Sequence, residues 1–498
     1  MNISRRNFLS MMGLTGIAAV TMTSCSTNPA SDDTQKPSEN YASADAGLWD
    51  NEWSGSDSLD NSWMGTPEEL KKLGGSNMPL EELNRRRSLF VESREAFTLE
   101  DGSIVPKPYV QARALLNTYG YGIGNAETDH VFTCIMNDMT EEEAQAYLDM
   151  PWGQKFTTYD YAAQSGYTIE ECERHCESIY RSGWLNRLET DAGVLWSHVP
   201  FSMQMAMYHL PNVLTDISKS AMFHDMFADD MYPLVYQQAG TPWLVPAPVK
   251  AEYVKDGAIY PYDDLRELLK AKKKFAVSPC FCKGVYYQFG GGVFPQGYPE
   301  DKSELKELLF ESSWDGPDPH IETCLSTGEE AQAIIDLGAG REITYEEAVE
   351  FLDRAVEEGL VLERAFSKGA ECICCCDRDC CMVLLTWKML AEEGEDFSQN
   401  KTFQQVSHYS MEVDHNTCIK CGFCVPRCPV EAISMDDESG YPKMAGQCIG
   451  CAQCAHICPE KARFLSPIPE DQIREFPQDI LEEANEKAGQ RFESGLIY

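Results

Sequence analysis

Residues 418–429 read CIKCGFCVPRCP, and residues 448–459 read CIGCAQCAHICP. Both follow the spacing C-x2-C-x2-C-x3-C-P, so Cys418, Cys421, Cys424 and Cys428 are repeated by Cys448, Cys451, Cys454 and Cys458, each set closed by a proline. Two residues between ligands let a tight loop wrap three corners of a cubane iron–sulfur cluster, and in two-cluster chains the fourth cysteine serves the other cluster. One 4Fe-4S cluster is therefore expected on Cys418, Cys421, Cys424 and Cys458, and a second on Cys448, Cys451, Cys454 and Cys428. The fourth cysteine of each set is expected at the start of a helix. Disulfides or zinc would need neither the duplication nor the closing prolines.

The flanking segments agree. Residues 432–435 and 441–444 flank the turn Asp437-Glu438-Ser439-Gly440, and 462–465 offers a matching strand. The stretch from about 406 to 466 resembles the bacterial two-cluster ferredoxin domain.

Upstream, residues 371–381 read ECICCCDRDCC. Of the 21 cysteines, eight belong to the repeated motif, Cys25 to the leader, and Cys134, Cys172 and Cys176 stand apart. The rest are Cys280, Cys282, Cys324, Cys372, Cys374, Cys375, Cys376, Cys380 and Cys381. Adjacent Cα atoms lie about 3.8 Å apart, whereas an unstrained disulfide wants roughly 4.4–6.8 Å, so Cys374, Cys375 and Cys376 cannot comfortably pair with one another. Pairing with distant cysteines stays open. Crowded thiolates repel unless a cation holds them, and soft thiolates select iron–sulfur clusters, zinc or copper(I). A further metal centre, iron–sulfur or zinc, is expected on these nine, which could fill two clusters with one spare or one with several over. His320, four residues before Cys324, is a weaker ligand candidate.

The first 25 residues are an address. Ser4-Arg5-Arg6-Asn7-Phe8-Leu9 carries the paired arginines of a twin-arginine export signal, and the apolar run 11–22 is too short for a comfortable membrane span. Met22-Thr23-Ser24-Cys25 resembles a lipoprotein cleavage box, with Met where Leu is more usual. A lipid on Cys25 would be the direct membrane attachment. Known twin-arginine systems move proteins already folded, which suits a cofactor built in the cytoplasm. A polar linker covers 26–60, and structure is expected to begin near Thr66-Pro67-Glu68-Glu69, a capped helix start. The net charge of -39 repels phosphate backbones and argues against a nucleic-acid partner.

Between about 137 and 200 the pattern is helix, helix, turn, helix, hairpin. Thr140 precedes an acidic turn, Gly166 breaks a helix, Thr168 with Glu171 caps the next, and 184–188 pairs with 194–198. That order suggests a winged helix in a structural or partner-docking role. Cys172 and Cys176 share a helix face and are expected to be buried rather than metal-bound. A helix near 263–273 precedes a strand at 275–277, and a helix from 345 to 358, capped by Thr344 with Glu347 and ended by Gly359, leads toward the cysteine run.

In sequence, Pro279-Cys280-Phe281-Cys282, Thr323-Cys324-Leu325-Ser326-Thr327-Gly328, Gly340-Arg341-Glu342-Ile343-Thr344-Tyr345-Glu346-Glu347-Ala348, Glu358-Gly359-Leu360-Val361, the 372–381 run and the duplicated motif resemble the large bacterial 4Fe-4S dicluster-domain proteins. The resemblance covers roughly 130–466. The chain departs at Cys376-Asp377-Arg378-Asp379, inserted where the family runs more directly between cysteine groups. The resemblance implies iron–sulfur electron transfer and supplies no substrate.

The expected fold is α+β: a signal (1–25), a linker (26–60), a mostly helical part with a winged-helix-like unit (61–240), a cysteine-rich α/β middle domain (241–405), a two-cluster ferredoxin-like domain (406–466) and a C-terminal tail (467–498). The expected function is electron transfer on the outer side of the membrane, serving a redox partner or larger oxidoreductase. No nucleophile–base set or dinucleotide fingerprint opposes it, since Gly290-Gly291-Gly292 lacks the required spacing. A corrinoid enzyme of the reductive-dehalogenase kind is the alternative. It shares the twin-arginine signal and ferredoxin motifs, but its pattern does not include the 372–381 run.

Overall fold

The computed structural model describes residues 78–99, 101–120, 122, 129–200, 207–209, 244–260, 262–283, 322–381, 383–384, 407–446, 448–469, 476–493, 495 and 497. The leader with Cys25, the linker, the helix start at Thr66, Gly290-Gly291-Gly292 and His320 lie outside the described residues.

Helix α1 (Leu80–Glu92) leads through strands β1 (Phe97–Thr98) and β2 (Ile104–Val105) to α2 (Lys107–Leu116) and α3 (Asp129–Asp138). Capping chemistry then sets the boundaries. α4 (Glu141–Asp149), α5 (Thr158–Ser165) and α6 (Ile169–Arg181) begin on capping boxes made by Thr140 with Glu143, Thr157 with Asp160, and Thr168 with Glu171. In each, the threonine oxygen accepts a first-turn N–H while the carboxylate accepts the cap's own N–H. Gly166 ends α5 at a φ of 81°, a left-handed conformation that glycine enters without steric cost. The hairpin of β3 (Leu185–Thr190) and β4 (Gly193–His198) follows, so the elements come in the order read from the sequence. Cys172 and Cys176 are buried on the inner face of α6, as part of the core.

The middle of the chain supplies β5 (Leu244–Pro246), α7 (Leu265–Lys270), β6 (Phe275–Pro279), β7 (Glu322–Thr327), α8 (Gly328–Asp336), β8 (Arg341–Ile343), α9 (Tyr345–Glu358), β9 (Val361–Ala365) and β10 (Cys372–Cys376). The strands form one sheet in the order β5-β9-β10-β7-β6-β8, and every neighbouring pair is antiparallel. This corrects the α/β expectation for the middle domain. Only the six residues 366–371 join β9 to β10, too few for the crossover that parallel neighbours require. α7 is shorter than the 263–273 expected, because residues 271–274 turn the chain into β6. α9 matches its expected limits, with Thr344 and Glu347 forming the capping box and Gly359 the left-handed stop at φ 94°.

Alternation gives the sheet two apolar faces. Ala276, Cys324, Cys372, Cys374, Cys376, Val361 and Ala365 share a core with the N-terminal helices. Val277, Leu325, Ile373, Cys375 and Leu362 pack with Phe351, Leu352 and Val356 of α9 on the other side.

The C-terminal module contains β11 (Tyr409–Val413), α10 (Cys424–Arg427), β12 (Ile433–Met435), β13 (Pro442–Met444), α11 (Gln453–His456) and β14 (Arg463–Pro467). β12 and β13 form the expected hairpin, and β14 pairs with β11. Residues 467–498, read as a tail, instead contain α12 (Ile480–Glu493), which packs on α1. Phe492 meets Phe90 edge-on at 6.4 Å, and Arg87 donates to Asn485 Oδ1 at 2.8 Å. The buried face of α12 mixes Leu481, Ala484 and Ala488 with Glu483, Lys487 and Arg491, so charge masks its helical period.

Candidate metal centres

The repeated motif folds as a repeat. Lys420, Gly422 and Glu431 take left-handed backbone angles of 62°, 77° and 54°, and Gly450, Ala452 and Lys461, each 30 positions later, take 68°, 63° and 51°. Such turns curl the chain around a centre, and four non-glycine residues accept the strain that requires. The short helices α10 and α11 lie between the third and fourth cysteines, so Cys428 ends a helical turn rather than starting a helix. The three intervening residues form that turn, and Pro429 and Pro459 follow it.

Cysteines of the two motifs gather together. One cleft is lined by Cys418, Cys421 and Cys424 from the first motif together with Cys458 from the second, with Ile419 and Phe423 at its rim. Cys428, the leftover member of the first motif, acts electrostatically on Cys448, Cys451 and Cys454. Backbone N–H groups point at the sulfurs: Ala432 at Cys428 (3.2 Å), Gly450 at Cys448 (3.3 Å) and Ala462 at Cys458 (3.3 Å). Such donors favour thiolate, which is what an iron–sulfur cluster takes as ligand. The residues present therefore fit two iron–sulfur clusters.

The two sets differ in exposure. Cys421 is exposed and Cys418 and Cys458 half-buried, beside Ile419 at 59% and Phe423 at 56% exposure, whereas Cys428, Cys451 and Cys454 are buried. Burial pushes the Cys451 thiol well up and the Cys454 thiol up to about 12. Arg463, also buried, lies within reach of Cys424, Cys428, Cys448 and Cys454 and favours the thiolate of each.

The inner set abuts the sheet. The N–H of Val249 donates to Cys451 O at 3.4 Å, and Gln453 Nε2 donates to Leu360 O at 2.5 Å. Arg378, from the stretch Cys376-Asp377-Arg378-Asp379, donates to Pro426 O at 2.9 Å and Cys428 O at 3.3 Å and pairs with Glu431 at 2.9 Å. Arg378 thus clamps the cysteine-rich turn to the ferredoxin-like module.

The opening cysteines of the 372–381 run form a strand in the middle of the sheet, not a loop. Cys374 lies between Cys324 of β7 and Glu363 of β9, Ser278 stands beyond Cys324, and Ser326 sits opposite Cys372. The N–H of Cys381 turns back to Asp377 O at 2.9 Å, which returns Cys381 to the same face, and Cys280 and Cys282 arrive just past the end of β6. Cys372, Cys374, Cys324, Cys280, Cys282, Cys381 and Cys376 are joined in that order by thiol contacts that close back on Cys374. Within this set, Cys372 Sγ and Cys374 Sγ are 3.6 Å apart.

Seven of the nine upstream candidates therefore meet on one face. Cys375 is a correction: one position out of phase, it faces the apolar core of α9. Cys380 is buried beside the group, and burial followed by the charge of Cys280 pushes its thiol well up. Hydrogen bonds from Cys282 and Cys324 draw Cys280 well down, and those from Cys282 and Cys376 draw Cys381 down. The donors Cys282 and Cys324 are pushed well up by those same contacts, aided by burial.

Sequence reasoning missed Glu363, Ser278, Ser326, Arg378 and Arg463. The two serine hydroxyls are buried without a hydrogen-bond partner among the described residues. Glu363 stands beside Arg364 in a strand that is buried throughout, and a charge amid the apolar residues 360–362 and 365–366 is the signal that could have found it.

The fold and sulfur geometry of the C-terminal module are those of a ferredoxin-like iron–sulfur domain. Residues 411–463 match the family model described as a 4Fe-4S dicluster domain. The chain is 38% identical over 82 residues to NADH-quinone oxidoreductase subunit I 2 of Geobacter metallireducens, covering 16% of this chain and 56% of that one. It is 34% identical over 84 residues to NADH-quinone oxidoreductase subunit I of Pelobacter propionicus (17% and 42%), and 34% identical over 50 residues to a ferredoxin of Pyrobaculum islandicum (10% and 47%). The chain spans about half the length of the curated relatives it matches. No solved structure matches it.

Proposed function

We propose that this chain is an exported electron-transfer protein holding one 4Fe-4S cluster on Cys418, Cys421, Cys424 and Cys458, a second on Cys448, Cys451, Cys454 and Cys428, and a further metal centre on the thiol face of the sheet. The observation that carries the reading is the cleft that joins three cysteines of the first motif to the fourth of the second. The bound clusters would supply one-electron chemistry, at potentials set by hydrogen bonds to sulfur and by exposure. The exposure gradient gives a direction. Cys421, Ile419 and Phe423 offer a partner the outer set, while Val249, Gln453 and Arg378 hold the inner set against the sheet. Two relatives are named as subunits of NADH-quinone oxidoreductase, which supports service to a larger oxidoreductase. Export would use Arg5 and Arg6, and a lipid on Cys25 would be the anchor to the membrane.

The test uses the full-length chain, purified without oxygen and read by iron and sulfide content and by electron paramagnetic resonance. About eight iron and eight sulfide are expected in the C-terminal module. Cys421→Ser and Cys458→Ser should disturb one cluster signal, and Cys451→Ser and Cys428→Ser the other. Pairing of Cys428 with the Cys421 signal would refute the crossed assignment, and one cluster in place of two would sink the reading.

A further inference from the structure

The thiol face includes an oxygen donor that a count of cysteines overlooks. Glu363 is 1% exposed, and its Oε2 lies 3.9 Å from Cys381 Sγ. The ligand atoms of Glu363, Cys376 and Cys381 all fall within 4.8 Å of one another. The Cys282 thiol touches Cys381 and lies outside that mutually close set. The remaining thiols, Cys280, Cys324, Cys372 and Cys374, continue the chain of contacts away from Glu363.

Two physical facts point to a cation. A buried carboxylate must be protonated or neutralised, and the contacts of Glu363 among the described residues are thiols, with no lysine or arginine paired to it. The spacing then selects the kind of cation. Around one tetrahedral ion, with bonds of about 2.3 Å to sulfur and about 2.0–2.2 Å to oxygen, neighbouring ligand atoms stand roughly 3.5–3.8 Å apart. A cubane puts iron and sulfide edges between its ligands and holds them further apart. The Cys381–Glu363 separation of 3.9 Å suits the single ion.

We propose that Glu363, Cys376 and Cys381 bind one divalent ion of the zinc or ferrous-iron kind, separate from the ferredoxin-type clusters. This rests on the reading of the thiol face as a metal centre, not on the C-terminal clusters. Binding releases the ligand protons to solvent. The ion ties β9, β10 and the 377–381 turn together. That last turn carries Arg378, whose guanidinium holds the carbonyl of the inner ligand Cys428. The site is thus a staple that positions the sheet against the inner cluster.

Full-length protein purified without oxygen from its own host is assayed for zinc, iron and acid-labile sulfide. The expected result is at least one divalent ion beyond the iron matched by sulfide, seen as zinc or as excess iron. Glu363→Gln should lose one such ion while the reduced C-terminal clusters keep their resonance signals. Wild-type protein with iron equal to sulfide and no zinc would overturn the proposal, as would a Glu363→Gln protein that keeps its full complement. Missing C-terminal signals in the wild type would instead count against the two-cluster reading and leave the ion count standing. If Glu363→Gln fails to fold, cobalt(II)-loaded wild-type protein decides. Strong tetrahedral bands with thiolate charge transfer are expected, and weak octahedral bands would overturn the site.

Discussion

One position in β10 separates a candidate ligand from a core side chain. Cys374 faces Cys324 and Glu363, whereas Cys375 packs beside Ile373 against α9. The eight cysteines of the repeated motif were legible because their spacing is local and each loop wraps its own centre. The 372–381 run was legible only as a count of thiols, because a strand's alternation sorts them into faces and cysteine itself does not announce a strand. Glu363 was hidden for a related reason: beside Arg364 in β9 it reads as an exposed charge pair, yet both are buried. Arg364 is directed elsewhere, over the Phe476 ring at 4.3 Å. The two faces make opposite predictions. Cys376→Ala should strip metal from the thiol face in an anaerobic metal assay, while Cys375→Ala should keep the full complement and cost about 1 kcal/mol in denaturant unfolding. Equal metal loss from both variants would contradict the alternation.

Elements with their own caps were read to within a residue or two, since Thr140, Thr168 and Thr344 each declare a helix through contacts three residues away. Elements defined by tertiary packing were not, and α12 is the clearest case. The docking of the β3–β4 hairpin is also tertiary. His198, at the end of β4, donates from Nε2 to Tyr147 O at 3.0 Å and lies edge-on to the Tyr147 ring at 4.4 Å. Burial lowers its pKa from 6.5 to about 4. Above the unfolded value the ring is neutral in both states, so its contribution is complete there. As pH falls below that value the unfolded chain takes up a proton the folded chain refuses, and stability falls until the folded ring also titrates. The loss should approach about 3 kcal/mol near the lower value, at roughly 1.4 kcal/mol per unit. Thermal unfolding of wild type and His198→Gln, compared from about pH 7 to about pH 5, should show the steeper decline in wild type. Parallel declines would mean His198 is not the titrating group.

At the scale of the whole molecule, modules that are consecutive in sequence close on one another in space. α12 returns to α1, Asn485 Nδ2 donates to Gly153 O at 2.7 Å, and Arg491 donates to Asn117 O at 2.5 Å and Oδ1 at 3.2 Å. The ferredoxin-like module is held to the sheet by Arg378, Arg427 and Gln453 before the chain reaches that helix. The order of modules was legible in the sequence, but this closure was not, because it depends on buried polar partners hundreds of residues apart. Closure bears on how the chain would leave the cytoplasm. Cys428, Cys451 and Cys454 are buried at the seam between module and sheet, so insertion of a cluster there would have to precede or accompany the final packing. A route that threads unfolded chain would separate insertion from folding, whereas the twin-arginine route carries folded cargo, in keeping with the Arg5-Arg6 pair. Changing both arginines to lysine should therefore leave full-length precursor in the cytoplasm, folded and carrying its iron. Fractionation of the native host with iron analysis of the retained protein is the measurement. Undiminished export of the double variant would rule out the twin-arginine route, and precursor retained without iron would break the link between cluster insertion and folding.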